Sequence, residues 1–274
     1  IYNPSGHTRT EIVDAWVPMS EKPRAAAVFG PDGKAVKSQT VGYSDGKLHI
    51  AFAATVGSVG YAVYDLRTSG GKEGTALKAT ASTLENGIYK VTLDSVGDIC
   101  SIVDKRNGKE LVASGKSFRL ALFTENRSTA WPAWEILKET IDREPTAITD
   151  NVAVSVEELG AVRATLKVSR SYGESRFVQY ISLTDGGADD MITVRNEVDW
   201  RAENALLKAE FPTSLTNREA AYDLGVGYIK RPSNTANAYE VVAQQWADLT
   251  DADGSYGVAV MNDCKYGWDK PDDH

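Results

Sequence analysis

Apolar positions along the 274-residue chain recur mostly at every second residue, in short runs cut by Gly, Asn and Asp. That two-residue period predicts strands. The runs fall at residues 11–17, 25–29, 48–53, 61–66, 89–93, 99–103 and 118–123, and again at 152–156, 162–168, 177–183, 191–198, 206–211 and 256–261. Between them stand Pro31-Asp32-Gly33-Lys34, Ser44-Asp45-Gly46-Lys47, Arg106-Asn107-Gly108-Lys109 and Asp185-Gly186-Gly187. Their Gly and Asn residues supply the positive φ angles that tight β connections need. No long window carries a 3.6-residue apolar stripe, although residues 134–139 fit a single helical turn. The predicted fold class is all-β.

The stretch Thr68-Ser69-Gly70-Gly71-Lys72-Glu73-Gly74-Thr75 has neither period nor bulk and reads as a connection. The expected division is a small β-sandwich over residues 1–74 and a larger sandwich over residues 75–274. The chain opens on Ile1 rather than methionine and closes on the polar tail Lys270-Pro271-Asp272-Asp273-His274, so both ends are expected to be cuts, with the larger sandwich continuing past the tail.

Lys plus Arg number 30 against 38 Asp plus Glu, a net charge of −8 that repels a phosphate backbone and an anionic membrane surface. Nucleic acid and membrane are therefore set aside as partners. No apolar stretch approaches the roughly 18–20 residues that span a bilayer, and no basic segment leads into an apolar one. The two cysteines, Cys100 and Cys264, sit in strand-like surroundings and read as buried free thiols. His7, His49 and His274 lie far apart without an HxH or HExxH spacing, so no metal ligand is assigned in this chain. There is no GxSxG elbow, P-loop or dinucleotide fingerprint. Asp189-Asp190, Asp251 and Asp253 fall at turns, where solvated acids are ordinary, and no catalytic residue is assigned.

Glu85-Asn86, Trp131, Trp134, Asp263, Lys265 and Tyr266 stand where strands give way to loops, the usual location of binding residues on a β scaffold. Trp131-Pro132-Ala133-Trp134 sets two indoles around a rigid proline. Flat aromatic faces stack on the apolar side of a sugar ring while nearby polar groups bond its hydroxyls. The competing reading is that the indoles cap a sandwich end.

Several segments resemble one known family. Ile1-Tyr2-Asn3-Pro4 followed by Thr8-Arg9-Thr10-Glu11 is similar to the entry into the β region of glycoside hydrolase family 38 α-mannosidases. Leu84-Glu85-Asn86-Gly87-Ile88-Tyr89 and Gly97-Asp98-Ile99-Cys100-Ser101-Ile102-Val103-Asp104-Lys105 resemble the opening of that family's large sandwich. Trp131-Pro132-Ala133-Trp134-Glu135-Ile136 resembles its W-D-A-W-D-I loop, with Pro132 and Glu135 standing where Asp is usual. The last third agrees best, in Gly227-Tyr228-Ile229-Lys230-Arg231-Pro232, Gln245-Trp246-Ala247-Asp248-Leu249 and the run from Tyr256 through Asn262-Asp263-Cys264-Lys265-Tyr266-Gly267. Ser233-Asn234 departs from a common Thr-His. The Asn-Asp-Cys-Lys-Tyr-Gly form resembles the bacterial and cytosolic-type branch.

The resemblance implies a small sandwich followed by a galactose-mutarotase-like supersandwich, both belonging to a larger retaining α-mannosidase. In that family the nucleophile, the acid/base and a zinc ion belong to an N-terminal barrel, followed by a helical bundle. This chain is thus expected to hold no cofactor and to be inactive alone, its partners being an α-mannoside glycan and the barrel and helical domains of the same polypeptide. The resemblance makes Trp134, then Trp131, the expected substrate-binding residues, followed by Asp263, Lys265 and Tyr266. Two other readings compete: a non-catalytic carbohydrate-binding β-sandwich module, and a mutarotase-like epimerase, which would want a His or Glu base that the scattered histidines do not offer.

Overall fold

A computed structural model describes residues 1–68, 70, 74–131, 134–187 and 189–274. The protein is all-β, with 51% of residues in strands and 1% in helix. Among the described residues no helix is long and apolar enough to cross a membrane. Among the described residues the one helix is the four-residue Lys138–Ile141, which begins within the segment 134–139 where a helical turn was expected and runs two residues past it. Residues 71–73 of the expected connection, together with Ser69, lie outside the described residues.

By packing, the chain divides into two units. The first comprises Ile1–Gly97, Val103–Gly108 and Thr149–Arg201, and so takes in residues on both sides of the expected division at 74/75. It contains the antiparallel sheet Arg9–Pro18, Lys47–Val56 and Ser38–Ser44, with the Lys47 strand central. The turn into that strand uses Asp45 at φ 51° and Gly46 at φ 68°, the twin left-handed residues of a type I′ hairpin anticipated from Asp-Gly. Val28, Ile50, Phe52 and Ala54 form the buried core beneath it, with Val13, Ala15, Val17 and Leu66 packed against them. A four-stranded meander follows, Asp150–Leu159, Arg163–Tyr172, Ser175–Thr184 and Thr193–Asp199. In the Ser175 strand buried and half-buried positions alternate closely, and Phe177, Ile181 and Leu183 all face the core.

The run at 61–66 does not form one strand. It splits into Gly60–Tyr61, paired with Tyr2–Asn3, and Asp65–Arg67, paired with Ala27–Phe29. The break arises where the Ala62 amide donates to the Ile1 carbonyl and the Tyr64 hydroxyl donates to the Thr55 carbonyl, diverting this segment from a single ladder.

The second unit comprises Asp98–Ile102, Lys109–Ile148 and Ala202–His274. It holds a three-stranded sheet centred on Arg119–Thr124 and flanked by Thr146–Ala147 and Ala205–Glu210. Beside these in sequence is a four-stranded antiparallel sheet in the order Tyr228–Pro232, Glu219–Asp223, Trp246–Thr250, Gly257–Met261. One face of that sheet is buried: Ala220, Tyr222 and Ala243 pack with Val241, Ala247, Leu249 and Trp268. Neither cysteine is buried as expected, Cys100 being half-buried and Cys264 exposed. Cys264 is turned out because it lies in a tight loop past the end of the Gly257–Met261 strand rather than within it.

Candidate functional site

The five predicted site residues all lie in the second unit, on two loops. The first loop is built around Ser128, a buried serine. Its hydroxyl accepts from the Trp131 amide at 3.0 Å and donates to the Glu135 carboxylate at 2.6 Å. The Trp131 carbonyl in turn accepts from the amides of Trp134 and Glu135, at 3.0 and 2.9 Å. The backbone is thus closed into a tight turn that directs both indoles outward, Trp131 67% exposed and Trp134 91% exposed. Glu135, which departs from the family's usual Asp, is one of the groups that tie the turn. Pro132 and Ala133 lie outside the described residues.

The second loop, residues 262–266, folds around Asn262, whose side-chain oxygen accepts from the amides of Cys264 and Lys265. This is the Asx-turn chemistry that suits Asn to such positions. The Asn262 amide donates to the Gln245 carbonyl, and the Tyr266 carbonyl accepts from the Ala243 amide at 3.1 Å. Asp263, Lys265 and Tyr266 are all exposed. A two-residue ladder, Val241↔Trp268 and Val242↔Gly267, closes the loop's base.

The segment between Tyr239 and Ala243 touches both loops. The Tyr239 hydroxyl donates to the Ile136 carbonyl at 3.2 Å, at the end of the Trp turn, while Val242 and Ala243 bond the base of the Asn262 loop. Between these contacts Glu240 lies against Gly267, where a Cβ would come within 2.7 Å of its Oε1. The Lys208 ammonium, 14% exposed, bonds Glu240 at 3.0 Å and Asp269 at 2.5 Å. Burial pushes the Glu240 carboxyl above the usual carboxylate range, and Lys208 only partly offsets this. The trio anchors the loops; it is closed in rather than presented to a ligand.

Tyr239, Glu240, Lys208 and Asp269 went unnoticed in the sequence. Lys208 and Asp269 stand 61 positions apart (269 − 208), and no motif spacing joins them. Glu85 and Asn86, also singled out as loop residues, lie in the first unit. There Asn86 is fully buried and donates to the carbonyls of Thr184 and Asp189, at 3.0 and 2.8 Å, while Glu85 accepts from Lys105 at 2.8 Å. Those contacts hold the fold together. Among the described residues no group of three or more His, Cys, Asp or Glu is arranged to hold a metal.

Comparison with known proteins places this geometry in context. Residues 84–274 match the family model described as glycosyl hydrolases family 38 C-terminal domain. Alpha-mannosidase 2C1 of Mus musculus is 29% identical over 194 residues, covering 68% of this chain and 18% of the mouse protein. Its Homo sapiens counterpart is 28% identical over the same length and coverage. The chain thus spans less than a fifth of the length of these curated relatives. In structure, an alpha-mannosidase from Enterococcus faecalis V583 superposes with a TM-score of 0.68 at 17% identity, over 98% of this chain and 37% of that one. That likeness establishes the shared fold.

Proposed function

The chain belongs to the glycosyl hydrolases family 38 C-terminal domain family, and from that premise we propose that it is the C-terminal β region of a retaining, zinc-dependent α-mannosidase. The observation that carries the reading is the family match, which runs unbroken over 84–274 while the mouse relative extends far beyond the aligned part. The domain plan is proposed with it: a small sandwich over 1–74 and a mutarotase-like supersandwich over 75–274, of the bacterial and cytosolic-type branch. The partners are an α-mannoside glycan and the barrel and helical parts of the same polypeptide.

In this reading the chain binds and positions; it does not cleave. Retaining hydrolysis needs two carboxylates about 5–5.5 Å apart on either side of the glycosidic bond, and catalytic zinc needs about three protein ligands. Those groups are assigned to the rest of the longer protein. Trp134 and Trp131, exposed on a turn that Ser128 fixes, offer flat faces for a mannose ring. Asp263, Lys265 and Tyr266 offer a carboxylate, an ammonium and a phenol to its hydroxyls. Held in place beforehand, such groups lower the entropy cost of orienting the substrate.

The test compares the longer protein, its Trp134→Ala variant and the 274-residue chain on an aryl α-mannoside. The longer protein is expected to release the aryl group, the variant to do so with a raised KM or lowered kcat, and the chain alone not at all. Hydrolysis by the chain alone at the longer protein's rate would overturn the assignment. The exposed indoles also favour a second reading, a non-catalytic carbohydrate-binding module. Glycan binding by the chain, with no hydrolysis in the longer protein, would select it.

A further inference from the structure

We propose that the open face of the four-stranded sheet in the second unit is a second saccharide site, a trough that seats a neutral manno-oligosaccharide away from the Trp loop. Because the opposite face of this sheet is already committed to the core through Ala220, Tyr222 and Ala243, the open face is not needed for folding. Register places Lys230, Ala221, Asp248 and Ala259 in one row across the four strands. Gly257 lies opposite Thr250 in the neighbouring row on the same face. Ala221 and Ala259, positions with no side chain beyond Cβ, flank Asp248 in that row and leave room on either side of its carboxylate, in an open cavity of about 480 Å³.

The walls are mixed. At one end Tyr228, 61% exposed, and Trp246 stand with ring centroids 6.3 Å apart and planes tilted by 46°. The rest of the lining includes the carboxylates of Glu219 and Asp248, the Lys230 ammonium and the Asn217 amide. The Asp248 carboxylate accepts from the Thr250 hydroxyl at 2.8 Å, which orients it. A Cβ on Gly257 would meet that hydroxyl at 2.5 Å, so the glycine keeps the space clear.

This chemistry matches a sugar better than a protein surface. The C–H edges of a pyranose carry partial positive charge and stack on the negative face of an indole or phenol ring. Each hydroxyl both donates and accepts, which suits walls that offer carboxylates and an ammonium together. A covering polypeptide would have to bury these charges and leave them to be paired. With both signs present, the walls give no preference for a charged ligand. The choice of mannose rests on the reading in the preceding subsection; the trough itself does not.

The experiment is a titration of the 274-residue chain with a linear α-linked manno-oligosaccharide, followed by the Trp246 indole N–H resonance, with a β-linked gluco-oligosaccharide beside it. Saturable binding that moves the Trp246 resonance is expected. Trp246→Ala should weaken it about tenfold or more, the loss of roughly one stacking contact. Ala259→Phe, on the solvent-facing side of an exposed strand, should abolish it by filling the trough while leaving the thermal midpoint unchanged. Absence of a saturable shift of the Trp246 resonance, or a shift that survives Ala259→Phe, overturns the site. Loss of binding on Trp134→Ala but not on Ala259→Phe also overturns it, and seats the ligand on the Trp loop as the proposed function has it. Preference for the gluco-oligosaccharide with the same variant pattern keeps the trough as a saccharide site and counts against the mannoside reading.

Discussion

Replacing Gln39 by Leu should cost the first unit about 2–4 kcal/mol, because its carboxamide is the partner of two backbone amides far away in sequence. Its Oε1 accepts from the amides of Val162 and Arg163 at 2.8 and 2.9 Å, and its Nε2 donates to the Glu158 carboxylate and the Arg163 carbonyl. Gln39 is 8% exposed and Val162 is fully buried, so water does not replace the lost acceptor. A buried donor left without a partner costs about 1–3 kcal/mol, and here there are two, one of them only part-buried. The assay is amide hydrogen exchange together with urea unfolding. Protection at Val162 and Arg163 should fall by at least about tenfold, and the urea midpoint should drop with little change in slope. Gly160→Ala offers an independent route to the same loss, since a Cβ at Gly160 would overlap the Gln39 carboxamide and expel it. If Gln39→Leu shifts stability by less than about 0.5 kcal/mol, within the range of ordinary surface changes, and leaves both amides protected, the reasoning fails.

Gly97→Ala should destabilise the first unit by about 2–5 kcal/mol, read from the same urea curves, because Gly97 sits at φ 83° and its added Cβ would overlap the Val168 Cγ1 methyl. Truncating Val168 to Ala alongside it should return the overpacking share and leave the backbone share. Burial pushes the Asp14 carboxyl up, but Arg163 and His49 outweigh it and hold the group below its ordinary value of 3.8. A lowered folded pKa gives stability that is present above 3.8 and lost as pH falls through the folded value. Asp14→Asn should therefore flatten the acid limb of a stability-against-pH curve while the wild type steepens below about pH 4. Trp134→Ala, at a side chain 91% exposed, should leave the thermal midpoint of the chain unchanged to within about 0.5 kcal/mol of stability. A larger loss would make the indole a packing residue.

Strand after strand was legible because alternation survives wherever one face is buried. The run at 177–183 sits inside Ser175–Thr184, and that at 48–53 inside Lys47–Val56. The Asp45-Gly46 hairpin was legible too, since only residues tolerant of positive φ complete a turn that short. Family membership was legible in short segments, most of which fall within the matched region 84–274. Less visible were the strands Ser38–Ser44, Glu219–Asp223, Tyr228–Pro232 and Trp246–Thr250, which carry polar or small residues on an open face and so give a weak period. The grouping of the chain was not legible at all. Gln39 pairs with Val162 across 123 positions, Lys37 with Asp185 across 148, and Lys208 with Glu240 and Asp269, none of them repeating at a spacing that local structure imposes. The trough is of the same kind, for Ala221 and Ala259 are unremarkable residues until strand register sets them on either side of Asp248. Local sequence determines which backbone conformation a segment prefers, through side-chain sterics and the period of burial. Which distant polar groups meet is decided only when the sheets pack, because a hydrogen bond between residues a hundred positions apart leaves no periodic trace in the chain.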